Sequence, residues 1–191
     1  MAEEATLKWS ELKKYLQDAG QKELIELVHD LYKQSVDNRR YVTARYTKGE
    51  GDSEILEAYR KIVVNVYFPA RGAASKPRYS VAKKAINDYS RASGDIKGTM
   101  DLALTLVEKV TEYIREFSGI GEESYAGGFE MMEKFCELMR TEEGQKFYPY
   151  FRERLQKLYQ DSKNSPYGIA TIEQYISDLE NDFFEGELQD N

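Results

Sequence analysis

The sequence predicts an all-α protein, and three observations carry that prediction. Apolar residues recur in steps of three and four along nearly the whole chain. Capping residues stand where these runs begin and end. No segment holds the strict alternation that a half-buried strand needs. The expected architecture is eight or nine amphipathic helices packed as a bundle or short helical array. They form a single domain over 1–184, followed by a frayed acidic tail at 185–191.

The elements follow in order. A first helix covers about 6–18 and stops at Gly20. The second, KELIELVHDLYKQS, places Leu24, Leu27, Val28, Leu31 and Tyr32 on one face. Asp37 is the expected cap of a third helix through RRYVTARY, closed by the turn Lys48-Gly49-Glu50-Gly51. Asp52 or Ser53 caps a fourth, which buries Ile55, Tyr59, Ile62 and Val66 and ends at Pro69. Within it, IVVNVYF is rich in β-branched residues, but its register with Ile55 and Tyr59 favours helix.

The fifth helix spans about Ser80 to Ser93, with Val81, Ala85, Ile86 and Tyr89 on its buried side. Gly94 suits the left-handed position that closes it, and Asp95 caps the next. The sixth helix aligns Ile96, Met100, Ala103, Val107, Val110, Ile114 and Phe117 on one stripe and is expected to be central. After the loop SGIGEES, a seventh buries Tyr125, Phe129, Met132, Cys136 and Met139. Thr141 caps the following segment, which Pro149 breaks or restarts ahead of Phe151, Leu155 and Leu158. A last helix presents Ile169, Ile172, Ile176, Leu179 and Phe183 to the core.

Composition narrows the function. The 191 residues carry a formal net charge of -7, which argues against a general polyanion binder. Cys136 is the only cysteine, so the chain has no internal disulfide and no cysteine-based zinc site. No apolar run approaches the roughly 20 residues that span a bilayer. The acidic, amphipathic start lacks the features of a secretory signal, so a cytoplasmic protein without membrane association is expected.

Catalytic and cofactor motifs are weak. His29 follows Glu26 in a Glu-x-x-His spacing, but one histidine cannot supply the two such motifs of a di-iron bundle. It reads as a histidine on the flank of a helix. Cys136 reads as a small buried hydrophobe. Glu108, Glu112 and Glu116, and Glu130, Glu133 and Glu137, follow solvent faces; an acid cluster facing a cavity would reopen a catalytic reading. ARGAASKP lacks the spacing of a phosphate loop and follows no strand. The expectation is a non-enzymatic protein with no cofactor and no metal.

One segment stands apart. Residues 60–97 hold 9 basic and 2 acidic side chains, net +7, against -3 before them and -11 after. Pro69 and Pro77 bracket a loop that cannot be helical throughout. Arg71, Lys76, Arg78, Lys83 and Lys84 gather on this loop and the helix entrance after it, with Tyr79 as an aromatic anchor. Cations at a helix N-terminus oppose the dipole, so local stability does not explain them. The patch is read as a contact site for an acidic stretch of a partner protein. It could equally take the protein's own acidic half or a second copy. The alternative is a nucleic acid held through its phosphates, with Tyr79 or Tyr89 stacking on bases. A lysine-rich loop without a ligand is the plain reading.

ELKKYL, ELIELVHDLY and KPRYSVAKKAIND, with the later FRERLQKLY and PYGI, give the chain a family resemblance. It is similar to an uncharacterised prokaryotic all-helical family catalogued only as a domain of unknown function. The resemblance implies a soluble all-α protein and brings no substrate, cofactor or catalytic residue.

Overall fold

The computed structural model describes residues 7–47, 54–72, 76–117, 122–163 and 170–189. These residues form ten helices and no strand. In chain order they are α1 (Trp9–Asp18), α2 (Gln21–Gln34), α3 (Val36–Tyr46), α4 (Glu54–Tyr67) and α5 (Tyr79–Ser93). They continue with α6 (Ile96–Glu116), α7 (Glu122–Met139), α8 (Glu142–Gln145), α9 (Tyr148–Lys163) and α10 (Ala170–Gln189). The helix beyond the expected nine is α8, a single turn capped by Thr141, whose hydroxyl accepts from the Gly144 amide at 3.0 Å. Pro149 falls in the first turn of α9, where its missing amide costs no helical hydrogen bond. Because α10 runs to Gln189, only 190–191 of the expected tail lie outside the described residues.

The chain divides into two units, Met1–Thr43 and Ala44–Asn191. In the first, carboxylates close two helix entrances: Glu11 accepts from the Lys8 amide at 3.2 Å, and Glu23 from the Gly20 amide at 2.9 Å. Ser35, rather than Asp37, caps α3, its hydroxyl accepting from the Asn38 amide at 3.0 Å. Asp37 lies within the first turn and pairs with Arg40 at 2.9 Å. The expected cap at Asp52 or Ser53 lies outside the described residues.

The second unit is organised around α6, which packs against α4, α5, α7, α8 and α9. It is buried on nearly every side, including Thr99, Asp101, Thr105 and Thr111. Its N-terminus is built as expected. Gly94 takes the left-handed conformation (φ 66°), and Asp95 accepts from the Gly98 amide at 2.9 Å. The same Asp95 accepts the Tyr89 hydroxyl at 2.7 Å, which ties α5 to the start of α6.

Two expected faces turn. On α4 the buried residues are Leu56, Tyr59, Val63 and Tyr67, with Ile55, Ile62 and Val66 packed at the core's margin. Both rows are apolar, and the larger Tyr67 goes to the centre, edge-on to Tyr113 at 5.7 Å between ring centroids. At the C-terminal end of α6, Phe117 is 43% exposed rather than in the stripe, since the helix stops at Glu116. The remaining core follows expectation through Met132, Cys136, Met139, Phe151, Leu155, Leu158, Ile172, Ile176 and Leu179. Tyr125 and Ile169 are among the residues whose side chains are not described.

Candidate interaction surface

The proline-bracketed segment leaves α4 at Tyr67 and enters α5 at Tyr79. Arg71, Lys76 and Arg78 are exposed, and none has an ion pair with a described residue. Ala73, Ala74 and Ser75 lie outside the described residues. Arg78 stands at the N-cap of α5 and makes no capping hydrogen bond. The helix therefore begins with backbone amides and an unanchored cation together.

The inner half of the patch is committed to α7. Tyr79 donates its hydroxyl to Glu130 Oε2 at 2.7 Å, and Lys83 Nζ meets Glu130 Oε1 at 2.5 Å. One carboxylate thus ties two residues of α5. The hydrogen bond from Lys83, with that from Tyr79 and the charge of Lys134, holds the Glu130 carboxyl below its ordinary range despite partial burial. Burial first, and then the Glu130 hydrogen bond and charge, push the Tyr79 phenol well above its ordinary value. Tyr79 therefore acts as a hydrogen-bond donor.

Its ring lies against Gly127 of α7, where a β-carbon would collide with it. Lys134 donates to Asn87 at 2.8 Å, a second tie between the two helices, and burial lowers its ammonium pKa. Lys84 points elsewhere: it meets Asp88 at 2.6 Å, and Arg91 bonds the other oxygen of the same carboxylate at 2.8 Å. Tyr89 is fully buried beneath the helix and offers no face on which a base could stack.

The six residues therefore fall into an exposed set (Arg71, Lys76 and Arg78) and an anchored set (Tyr79, Lys83 and Lys84). The surface pairs on this patch contribute little stability, of order 0–1 kcal/mol each, because both partners remain well solvated.

A larger polar construction lies on the other side of α6. Asp101 is only 4% exposed and accepts from two arginines, Arg60 of α4 at 2.6 Å and Arg154 of α9 at 2.5 Å. Arg154 also grips Glu108 with two hydrogen bonds of 2.8 Å and donates to Thr105 at 3.0 Å. Glu57 pairs with Arg60 from the next turn of α4. Burial opposes the charge on Arg154, but Glu108 and Asp101 outweigh it and raise the guanidinium pKa further. The network clamps α4, α6 and α9.

Sequence reading missed this network by assigning Glu108 to a solvent face and giving Asp101 no role. Asp101, Thr105 and Glu108 recur in steps of four and three on one side of α6, but Lys97, Lys109, Glu112 and Arg115 make that helix polar elsewhere too, so the spacing alone does not single them out.

Glu108 continues into a cavity of about 390 Å3 between α6 and α9, lined also by Lys109, Glu112, Arg115, Arg154, Lys157, Leu158 and Asp161. Each carboxylate in it has a cation. Glu108 meets Arg154, Glu112 meets Lys109 at 2.5 Å, and Asp161 meets Arg115 at 2.9 Å. The Glu108–Arg154 and Asp161–Arg115 pairs join the α6 and α9 walls, and the Glu112–Lys109 pair lies within α6. His29 stands exposed on α2, and no group of three or more His, Cys, Asp and Glu among the described residues could hold a metal ion.

The fold defines an all-helical protein whose second unit is assembled around one buried helix, with a basic surface anchored beside it. The chain belongs to a family of unknown function (DUF6155), whose model matches residues 7–165. No curated protein matches it, and no solved structure does. Among the described residues no helix is long and apolar enough to cross a membrane.

Proposed function

We propose that the protein is a non-enzymatic binding protein. It takes an acidic segment of a partner protein on Arg71, Lys76 and Arg78, beside the platform formed by Tyr79, Lys83 and Lys84. The observation that carries this reading is the contrast within the patch. Tyr79 and Lys83 are fixed to Glu130, while the three outer cations have no ion pair with a described residue. Fixed positions beside free charges suit a ligand that brings its own carboxylates, since the platform is ordered before binding. The burial of Tyr89 removes one of the two stacking partners that a nucleic acid would have used. The reading also places the protein in the cytoplasm, supported by a core whose only cysteine is a free, buried thiol.

The test uses a fluorescent poly-glutamate peptide and a mixed-sequence single-stranded DNA of similar charge, titrated against the full chain at several salt concentrations. Peptide binding that falls at least tenfold in the Arg71→Glu, Lys76→Glu, Arg78→Glu variant is expected. Stronger retention of the DNA, with a log–log salt slope near -0.7 per phosphate contacted, would favour a nucleic acid instead. No binding of either probe at low salt removes the patch as a functional surface.

A further inference from the structure

The inner half of the basic patch already holds a carboxylate. Glu130 of α7 takes the Tyr79 hydroxyl on one oxygen at 2.7 Å and the Lys83 ammonium on the other at 2.5 Å. An acidic partner would offer Lys83 the same group. Lys83 lies about 7 Å along the axis of α5 from Arg78 at the N-cap. Acidic side chains on one side of an extended segment recur about every 7 Å. A segment that meets Arg78 and runs on along α5 therefore carries its next carboxylate within reach of Lys83.

Three features let Glu130 exchange. The first is exposure. The side chains of Lys83 and Glu130 keep 42% and 43% of their surface in water, and an ion pair that wet favours its closed form by no more than about fivefold. The second is geometry. Only one oxygen of Glu130 is on Lys83, so that oxygen can leave while the other stays on Tyr79. The third is an alternative partner. Lys134 stands four residues further along α7, the order in which a glutamate and a lysine pair best on a helix. Its ammonium donates to Asn87 at 2.8 Å and has no ion pair with a described residue; the charges of Glu130 and Glu137 reach it only at longer range. Releasing Lys83 therefore leaves Glu130 beside a second cation.

We propose that Glu130 is a built-in competitor for the basic patch. It occupies Lys83 in the free protein, and it yields Lys83 to a carboxylate of the acidic partner while turning to Lys134. The proposal rests on the reading of the patch as a site for an acidic segment. It adds Lys83 to the cations that the segment touches and places control of that contact on α7.

The test titrates the fluorescent poly-glutamate peptide against the full chain and its variants. Glu130→Gln keeps an acceptor for the Tyr79 hydroxyl and removes the charge that holds Lys83, so the peptide should bind about three- to fivefold tighter. Glu133→Gln makes the same change of net charge at an exposed residue of α7 that does not pair with Lys83, and it should gain less than about twofold. Lys83→Gln should weaken binding more in the Glu130→Gln chain than in wild type, because only there is Lys83 free from the start. Lys134→Gln should do the reverse, since only wild type needs a second partner for Glu130. Circular dichroism checks that each variant stays folded.

A glutamate that merely braces α5 against α7 predicts the opposite sign, a looser platform and weaker peptide binding by Glu130→Gln. That result, or equal affinities for Glu130→Gln and Glu133→Gln, would overturn the competitor and leave the patch standing. No peptide binding by wild type would remove the patch itself, and the competitor with it.

Discussion

The ring of Tyr79 on α5 occupies the space that a β-carbon on Gly127 of α7 would need. This close approach sets the depth at which Tyr79 lies and brings its hydroxyl onto Glu130 of α7. Gly127→Ala sets two effects against each other. Alanine in a helix interior gains up to about 1 kcal/mol over glycine. Forcing a methyl into an aromatic ring costs about 1–3 kcal/mol. The collision involves the body of the ring as well as its edge, so a net loss of about 1 kcal/mol is expected, read as a lower urea midpoint. Tyr79→Phe in the alanine background should change stability less than it does in wild type, because the displaced hydroxyl has already left Glu130.

Asp101 is the single acceptor shared by Arg60 and Arg154. Asp101→Ala leaves two guanidiniums half-committed inside the protein, and a buried charge stripped of its partner is costly. We expect a loss of about 3 kcal/mol, the lower end of the usual range because both arginines keep some solvent contact. Arg154→Met should cost less than Asp101→Ala, since it removes the cation and keeps much of its packing. Chemical denaturation of both variants decides the order, and equal losses would count against Asp101 as the hub.

Tyr67 is fully buried, and its hydroxyl has no hydrogen-bond partner among the described residues. Tyr67→Phe removes a polar group that gains nothing from folding, so neutral-pH stability should hold or rise. Burial, with the nearby Tyr113, pushes the phenol up to about 12 from an ordinary 10. The folded state holds this proton more tightly than the unfolded one. Stability from that difference is present below pH 10 and is lost as pH rises toward 12, by about 2 kcal/mol. The phenylalanine variant should therefore unfold less steeply over that window, measured by denaturation at a series of alkaline pH values.

Burial likewise pushes the Cys136 thiol up to about 12. The thiolate is the reactive form, so Cys136 should resist a disulfide-exchange reagent at pH 8 in the native protein and react within the mixing time in denaturant. Rapid native reaction would mean that α7 and α10 open on that timescale.

The helices and most of the core were legible in the sequence because each apolar run carries its own period and its own cap. Gly94 and Asp95 show this best: the left-handed glycine and the capping aspartate stand as their residue types require. The face of α4 was less legible, since Ile55, Ile62 and Val66 compete with Leu56, Val63 and Tyr67, and periodicity cannot rank two adjacent apolar rows. The basic patch was visible as a charge asymmetry. Its division into anchored and exposed cations was not, because that depends on Glu130, 47 residues beyond Lys83 and brought near only by the packing of α5 on α7. Asp101 was hidden for a related reason. A buried carboxylate is recognisable only when its arginines are known, and those lie on two other helices.

The placement of α6 has a consequence for how the second unit comes apart. Five helices rest on this one element, so none of them can keep its apolar face fully covered once α6 melts. The unit should open in one step, without partly folded survivors. Its backbone amides should then trade hydrogen for deuterium at a rate set by global unfolding along α6, with faster exchange at the outer edges of α9 and α10.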